Sequence, residues 1–336
     1  VTRPALHAVA EALRLPPEFE SELGLDTLPV VDAHHHLWQL GGAVSYPWLE
    51  RRPPIVFRYG DYGAIRRDYL PAAYRSDCAA HRVIATVHME AECDPADPPA
   101  ETRWLSTVMA CEGFPMAAVA QASLDRPDVA EVLAVQAAFG FVRSIRHKPA
   151  AARSAAEARR NTPGSMDDPR WRAGYALLAD YGLSFDLQTP WWHLDAALDL
   201  ALDFPRTVIV LNHAGLPMDR SPEGLADWRR AMEQLAAAPN LRVKISGLGT
   251  PEAGWPVAEN AKIVRDIVAI FGADRCMVAS NFPVDGLCAT LDVVFTTFKA
   301  ALRHLPADQL TQVLAGTAVE TYRLALQPGP PSLGAC

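Results

Sequence analysis

The chain has 336 residues, enough for one large domain or two small ones. Half of it is apolar and 21% is charged, as in a soluble globular protein, and the net charge of −8 with no long basic cluster argues against nucleic-acid binding. No apolar run approaches the roughly 20 residues that span a membrane, and no secretory leader is visible.

Residues 1–27 read as a helical extension, with a helix over 4–15 that leads into the first strand. The run LPVVDAHHHLW at 28–38 is a short buried strand passing straight into three histidines. Side chains alternate along a strand, so His34 and His36 share a face and His35 takes the other. Such a His-x-His pair at a strand end can aim two imidazoles at one metal ion or one polarised substrate oxygen. A His-rich surface loop is the plainer explanation, but three of only ten histidines stand side by side here. Residues 40–80 follow as a long irregular stretch with YPWL at 46–49 and a proline pair at 53–54. A loop of this length in a compact domain is usually a lid or a pocket wall. We expect it to flank the pocket together with the 149–165 loop, with Trp38 and Trp48 near the wall.

From there the pattern is regular. Strands are predicted over 82–90, 116–122, 141–146, 183–188, 207–212, 241–246 and 275–280. Helices are predicted over 100–111, 126–139, 168–181, 191–204, 221–238, 256–271 and 287–302, with further helices to 326. The Gly- and Pro-rich tail, 327–336, reads as disordered. Strand–helix alternation implies a parallel sheet, and eight such units in this length fit a closed (β/α)8 TIM barrel, a single domain over 28–326. No GxGxxG follows a first strand, which weakens a dinucleotide-binding alternative. The six cysteines, at 78, 93, 111, 276, 288 and 336, show no CxxC spacing and read as reduced thiols of a cytoplasmic protein.

The active site of such a barrel lies at the C-terminal ends of its strands. Those ends carry His34 and His36; His88 and Glu90; Gln121; Arg143 and Arg146 with His147 and Lys148; Asp186 and Gln188 with His193 beyond; Asn212 and His213; Lys244 and Ser246; and Ser280 and Asn281 with Asp285 close behind. Each has a structural explanation by itself: Glu90 as the partner of Arg143, Asp186 as a turn cap, Lys244 as a solvated end. Their recurrence on otherwise apolar strands points to a site, because buried charge is costly without a partner.

The order VDAHHHLW, TVHMEAECDPADPPAETRWL, FVRSIRHKP, LSFDLQ, VIVLNHAGLP and CMVASNFPVD resembles the amidohydrolase superfamily over roughly 28–326. It is most similar to the amidohydrolase-2 branch of TIM-barrel hydrolases that includes sugar-acid lactonases and 2-pyrone-4,6-dicarboxylate lactonase. The resemblance implies that His34 and His36 are the HxH pair of strand one and that His213 is the histidine after strand six. It places Asn281 where the family has an aspartate acting as general base and often as metal ligand, and Gln188 where many members have a histidine. Strand four offers no carboxylated lysine or bridging glutamate, so a two-metal site is not expected. Related lactonases bind one divalent ion or none.

These residues suggest a cytoplasmic hydrolase, a lactonase opening a small carboxylated lactone or related cyclic ester. His34, His36 and His213 could hold one zinc ion with a water in the fourth position, or could polarise the carbonyl without metal. An amide cannot take a proton from water, so Asn281 requires another base. Asp285 is the first candidate, with Glu90, Asp186 and His213 behind it. Arg143 and Arg146 would bind the carboxylate of an anionic small molecule, Arg143 being the inward one if Ile145 also faces in. Glu90, Gln188, Trp38 and Trp48 complete the expected substrate contacts. The alternative is a non-hydrolytic enzyme, a decarboxylase or lyase, or a barrel that only binds. Assembly into a homo-oligomer is compatible with either.

Overall fold

The computed structural model of the chain describes residues 13, 27–251 and 253–326. The helix expected over 4–15 and the tail at 327–336 lie outside these residues, Leu13 apart. Eight strands form one parallel sheet in sequence order: β1 (Val30–His35), β2 (Val83–Met89), β3 (Ala117–Gln121), β4 (Val142–Arg146), β5 (Ser184–Leu187), β6 (Ile209–Leu211), β7 (Leu241–Ile245) and β8 (Cys276–Val278). The seam between β1 and β8 is closed just beyond the last strand. His36 N donates to Phe282 O and Asn281 N to His34 O, both at 2.7 Å.

Helices cover the outside: α1 (Pro71–Asp77), α2 (Ala100–Glu112), α3 (Val129–Ala138), α4 (Pro169–Ala176), α5 (Leu194–Asp203), α6 (Pro222–Leu235), α7 (Val257–Phe271) and α8 (Leu291–Leu302). Their starts follow local chemistry. Prolines sit in the first turns of α1, α4 and α6, where the missing N–H costs nothing. The side chains of Asp168, Ser221 and Thr290 cap α4, α6 and α8 by accepting from backbone N–H groups. A wide apolar layer between strands and helices contains Leu133, Ile145, Trp171 and Phe185.

A second, smaller core fills the barrel itself. Val31, Ala33, Val87, Val119, Val210 and Met277 meet there with Ala318 and Tyr322 of α9 (Thr317–Tyr322), which stops the N-terminal end. Among these apolar residues lies a charged pair. Lys244 Nζ is 2.6 Å from Asp186 Oδ1, both side chains are fully buried, and Tyr322 OH donates to the same carboxylate. Neither Asp186 nor Lys244 is the capping or solvated residue of the sequence reading. The described cysteines, 78, 93, 111, 276 and 288, are all free thiols.

Candidate active site

The register of β1 explains how the histidines divide. Asp32 pairs with Thr86 and His35 with His88, so β1 carries one more residue than β2 between these points. The bulge leaves Asp32 and His35 both facing the helices. His35 Nε2 bonds Thr86 Oγ1 at 3.0 Å, and its ring packs on Tyr74 and Phe114. Asp32 accepts from Ser280 N, Ser280 Oγ and Tyr74 OH at 2.6–2.8 Å, which ties β1 to the end of β8. His34 and His36 turn to the other side, as alternation requires. His36 Nδ1 lies 2.9 Å from Met89 O. A carbonyl only accepts, so Nδ1 carries the proton and Nε2 is left with its lone pair.

His213 reaches the same place through strained backbone. It has φ 54°, Ala214 φ 55° and Leu216 φ 55°, a left-handed run that non-glycine residues avoid at roughly 1–2 kcal/mol each. Its Nδ1 sits 2.9 Å from Ser246 Oγ, and a Cβ added at Gly247 would lie 2.7 Å from its ring. Glycine at 247, with φ +64°, is what lets β7 pass so close. The ring centroid of His34 is 5.0 Å from that of His36 and 4.7 Å from that of His213. Burial holds all three imidazoles well below the usual histidine range, and neighbouring cations add to the effect, so they are neutral at pH 7.

Both ring nitrogens of His34 are buried without a hydrogen-bond partner. That is the observation on which a metal can be tested. A tetrahedral ion with nitrogens at about 2.0–2.1 Å would hold imidazole centroids about 5 Å apart, close to the spacing present. The neutral donors and the orphaned ring fit a borderline divalent ion. Their nitrogens are not converged as ligands: among the described residues no three His, Cys, Asp or Glu side chains form a ready metal-binding group.

Beside the imidazoles opens a cavity of about 240 Å³, lined by His36, His213, Asn281, Arg58, Arg146 and Lys148, with Trp48, Phe57, Glu92 and Gln188 also in its wall. Arg146, and not Arg143, is the inward arginine of β4. A register shift between Ala118 and Val119 puts Ile145 in the outer layer and Arg146 opposite Gln121. Arg143 bonds the carbonyls of Gly140 and Tyr322, far down the strand. Glu90 does not line the cavity. It lies beneath Arg146, pairing with Nε through its carboxylate and with Nη2 through its carbonyl, while Gln188 Oε1 accepts from Nη1 at 3.3 Å. Trp38 is wholly buried behind His36, its indole N–H given to Arg67 O, so it supports the wall from behind. Trp48 lines the cavity and stacks on Phe57 at 5.7 Å.

Asn281 and Asp285 meet as sequence proximity suggested, with different roles. Asn281, at φ 55°, donates from Nδ2 to Asp285 Oδ1 at 2.7 Å, leaving its own oxygen for the cavity. Asp285 also accepts from Tyr59 OH at 2.9 Å and from Gly247 N at 3.0 Å, and is fully buried. A carboxylate with its acceptors committed behind Asn281 is not placed to deprotonate water. It positions Asn281, Tyr59 and the β7 turn. The 40–80 segment does form the mouth, but the 149–165 loop does not. Ala152 is fastened to His193 Nε2 and Trp192 Nε1, beside a separate groove. The residues missed in the sequence are Arg58, Glu92 and Phe57. Arg58 stands in an aperiodic loop where nothing but its flanking aromatics marks it.

No helix among the described residues is long and apolar enough to cross a membrane. A sequence profile described as Amidohydrolase matches residues 31–324. The chain is 36% identical over 301 residues to protein y4mH of Sinorhizobium fredii, covering 89% of this chain and 100% of that one. It is 31% identical over 303 residues to the L-fucono-1,5-lactonase of Burkholderia ambifaria, covering 88% and 95%. An amidohydrolase of Burkholderia multivorans solved with bound zinc superposes with a TM-score of 0.72 at 26% identity, covering 88% and 99%. The match runs from β1 to the helix that stops the barrel, and the chain belongs to the amidohydrolase family.

Proposed function

We propose that the protein is a hydrolase that opens a small lactone or related cyclic ester, with one divalent metal ion, zinc in the first instance, held by His34, His36 and His213. The orphaned His34 ring between two imidazoles, each held by a hydrogen bond at Nδ1, carries this reading. Kinship with a lactonase and with a zinc-bound amidohydrolase supports it. A divalent ion bound there supplies Lewis acidity to an ester carbonyl. The chain does the rest. Met89 O and Ser246 Oγ fix the ring orientations, Arg146 is held rigid by Glu90, and the free oxygen of Asn281 accepts from a water or a substrate hydroxyl. Hydrolysis adds water to the carbonyl carbon and breaks the ring C–O bond, giving a hydroxy acid. The net positive wall of Arg58, Arg146 and Lys148 suits that anion.

One observation favours a second reading. Glu92 is the sole carboxylate lining the cavity among the described residues, and it is paired with Lys148. A site without a free carboxylate base also suits a decarboxylase or lyase. A lactone panel that includes L-fucono-1,5-lactone, assayed for acid release with CO2 release followed in parallel, separates them. Acid without CO2 supports the hydrolase; CO2 from an aromatic or keto acid, with no lactone opened, supports the second.

A further inference from the structure

Three cations line the cavity, and their commitments differ. Arg146 spends its donors on Glu90 and Gln188. Lys148 is paired with Glu92. Arg58 makes no hydrogen bond among the described residues. Its Nη1 is buried with no partner, although its side chain as a whole is 22% exposed. Its Nη2 lies 3.8 Å from Asp285 Oδ1, beyond hydrogen-bond reach, and that carboxylate is already satisfied by Tyr59, Asn281 and Gly247. A guanidinium offers five donors in a planar fork and cannot lose its charge. Burying one with no acceptor is unfavourable unless a ligand supplies the acceptor.

The loop holds this cation where it is. Tyr59 anchors the chain to Asp285 through a 2.9 Å hydrogen bond, and the Arg58 guanidinium lies 4.5 Å over the Tyr59 ring. Phe57 on the other side stacks on Trp48. Two aromatic anchors thus flank an arginine with an unspent fork, at a cavity shared with His213 and Asn281.

We propose that Arg58 is the anion receptor of this cavity and that its fork reads a carboxylate on a small polyhydroxylated ligand. That carboxylate belongs either to the lactone or to the hydroxy acid formed when the ring opens. The inference deepens the lactonase reading and rests on it for the kind of molecule the cavity takes. Arg58 is then a specificity-determining residue carried by the β1–α1 loop, and a bidentate pair at this spot fixes which end of the ligand faces the imidazoles.

The test needs no turnover. Calorimetry with L-fuconate and with L-fucitol, which has the same carbon chain and no carboxylate, isolates the charged group. Wild-type protein should bind L-fuconate at least 10-fold more tightly than L-fucitol. Arg58→Gln should remove that preference and leave the L-fucitol affinity unchanged in a folded protein, and Arg58→Lys should restore part of it. Equal wild-type affinities, or a preference that survives in Arg58→Gln, would overturn the proposal. Kinetics then locate the carboxylate. A KM raised for D-glucaro-1,4-lactone but not for neutral L-fucono-1,5-lactone puts it on the substrate; relief of product inhibition alone puts it on the product. If L-fuconate binds through Arg58 but no lactone is opened, the receptor stands and the lactonase reading fails.

Discussion

Two cations, Lys244 fully buried in the barrel and Arg58 partly buried at its mouth, show how this chain divides its polar groups. Lys244 lies in the closed half, with Asp186 at 2.6 Å and the Tyr322 ring 5.0 Å away, and the Tyr322 hydroxyl completes the carboxylate. Arg58 lies at the open end with its donors unspent. The histidines repeat the contrast. His35 faces the helices and is bonded to Thr86, while His34, its neighbour in the chain, keeps both nitrogens free. Around the cavity, the His34 ring and the Arg58 fork are the groups to which a ligand would bring a partner. Burial alone does not set them apart from the saturated groups, because all of these residues are largely enclosed.

The comparison breaks most visibly at Asp186. Asp186→Ala leaves Lys244 charged and alone in an apolar core, and should cost about 3–5 kcal/mol of stability in denaturant unfolding. Adding Lys244→Met should recover most of that loss. A single variant as stable as wild type would show that the pair is not the closed unit described. Next in size is Asn281→Asp. Asp285 lies 2.7 Å from the Asn281 side chain, so two carboxylates would face each other, one would take up a proton, and kcat/KM should fall on the order of 10²-fold, less at low pH. Activity at or above wild type would return Asp285 to the role of base.

A pH-dependent effect tests the packing behind the cavity wall. Glu101 on α2 accepts from Ala91 N and Tyr46 OH, behind the cavity wall, and burial raises its pKa to about 8. The folded state therefore keeps a proton that the unfolded chain releases above its ordinary value near 4.5. Its contribution to stability is complete below that value and is lost as pH rises through about 8. Glu101→Gln should remove this loss, a difference in slope of up to about 1.4 kcal/mol per pH unit, read from unfolding at pH 5, 6.5 and 8. Parallel stability–pH curves for the two proteins would contradict it.

Much of this was legible in the sequence where regular structure carries the signal. Alternation of strands and helices dictated the barrel, and strand parity put His34 and His36 together against His35. At β4 parity allowed one inward arginine and made it Arg143 only if Ile145 faced in; Ile145 packs in the outer layer, so Arg146 is the inward one. Parity was silent for Arg58 and Phe57, because an aperiodic loop gives no rule for which side chain turns inward. The closeness of Asn281 and Asp285 was legible from spacing, but the commitment of that carboxylate to Tyr59 and Gly247 depends on segments far apart in the chain. Long-range saturation of this kind leaves no local trace.

The most direct measurement is hydrolysis of L-fucono-1,5-lactone by zinc-supplied wild type and His34→Ala, with bound zinc quantified in both. The account predicts about one zinc per chain and measurable ring opening in wild type, with both lost in a folded His34→Ala protein. Ring opening that survives in His34→Ala, or zinc retained in full without that ring, would contradict it.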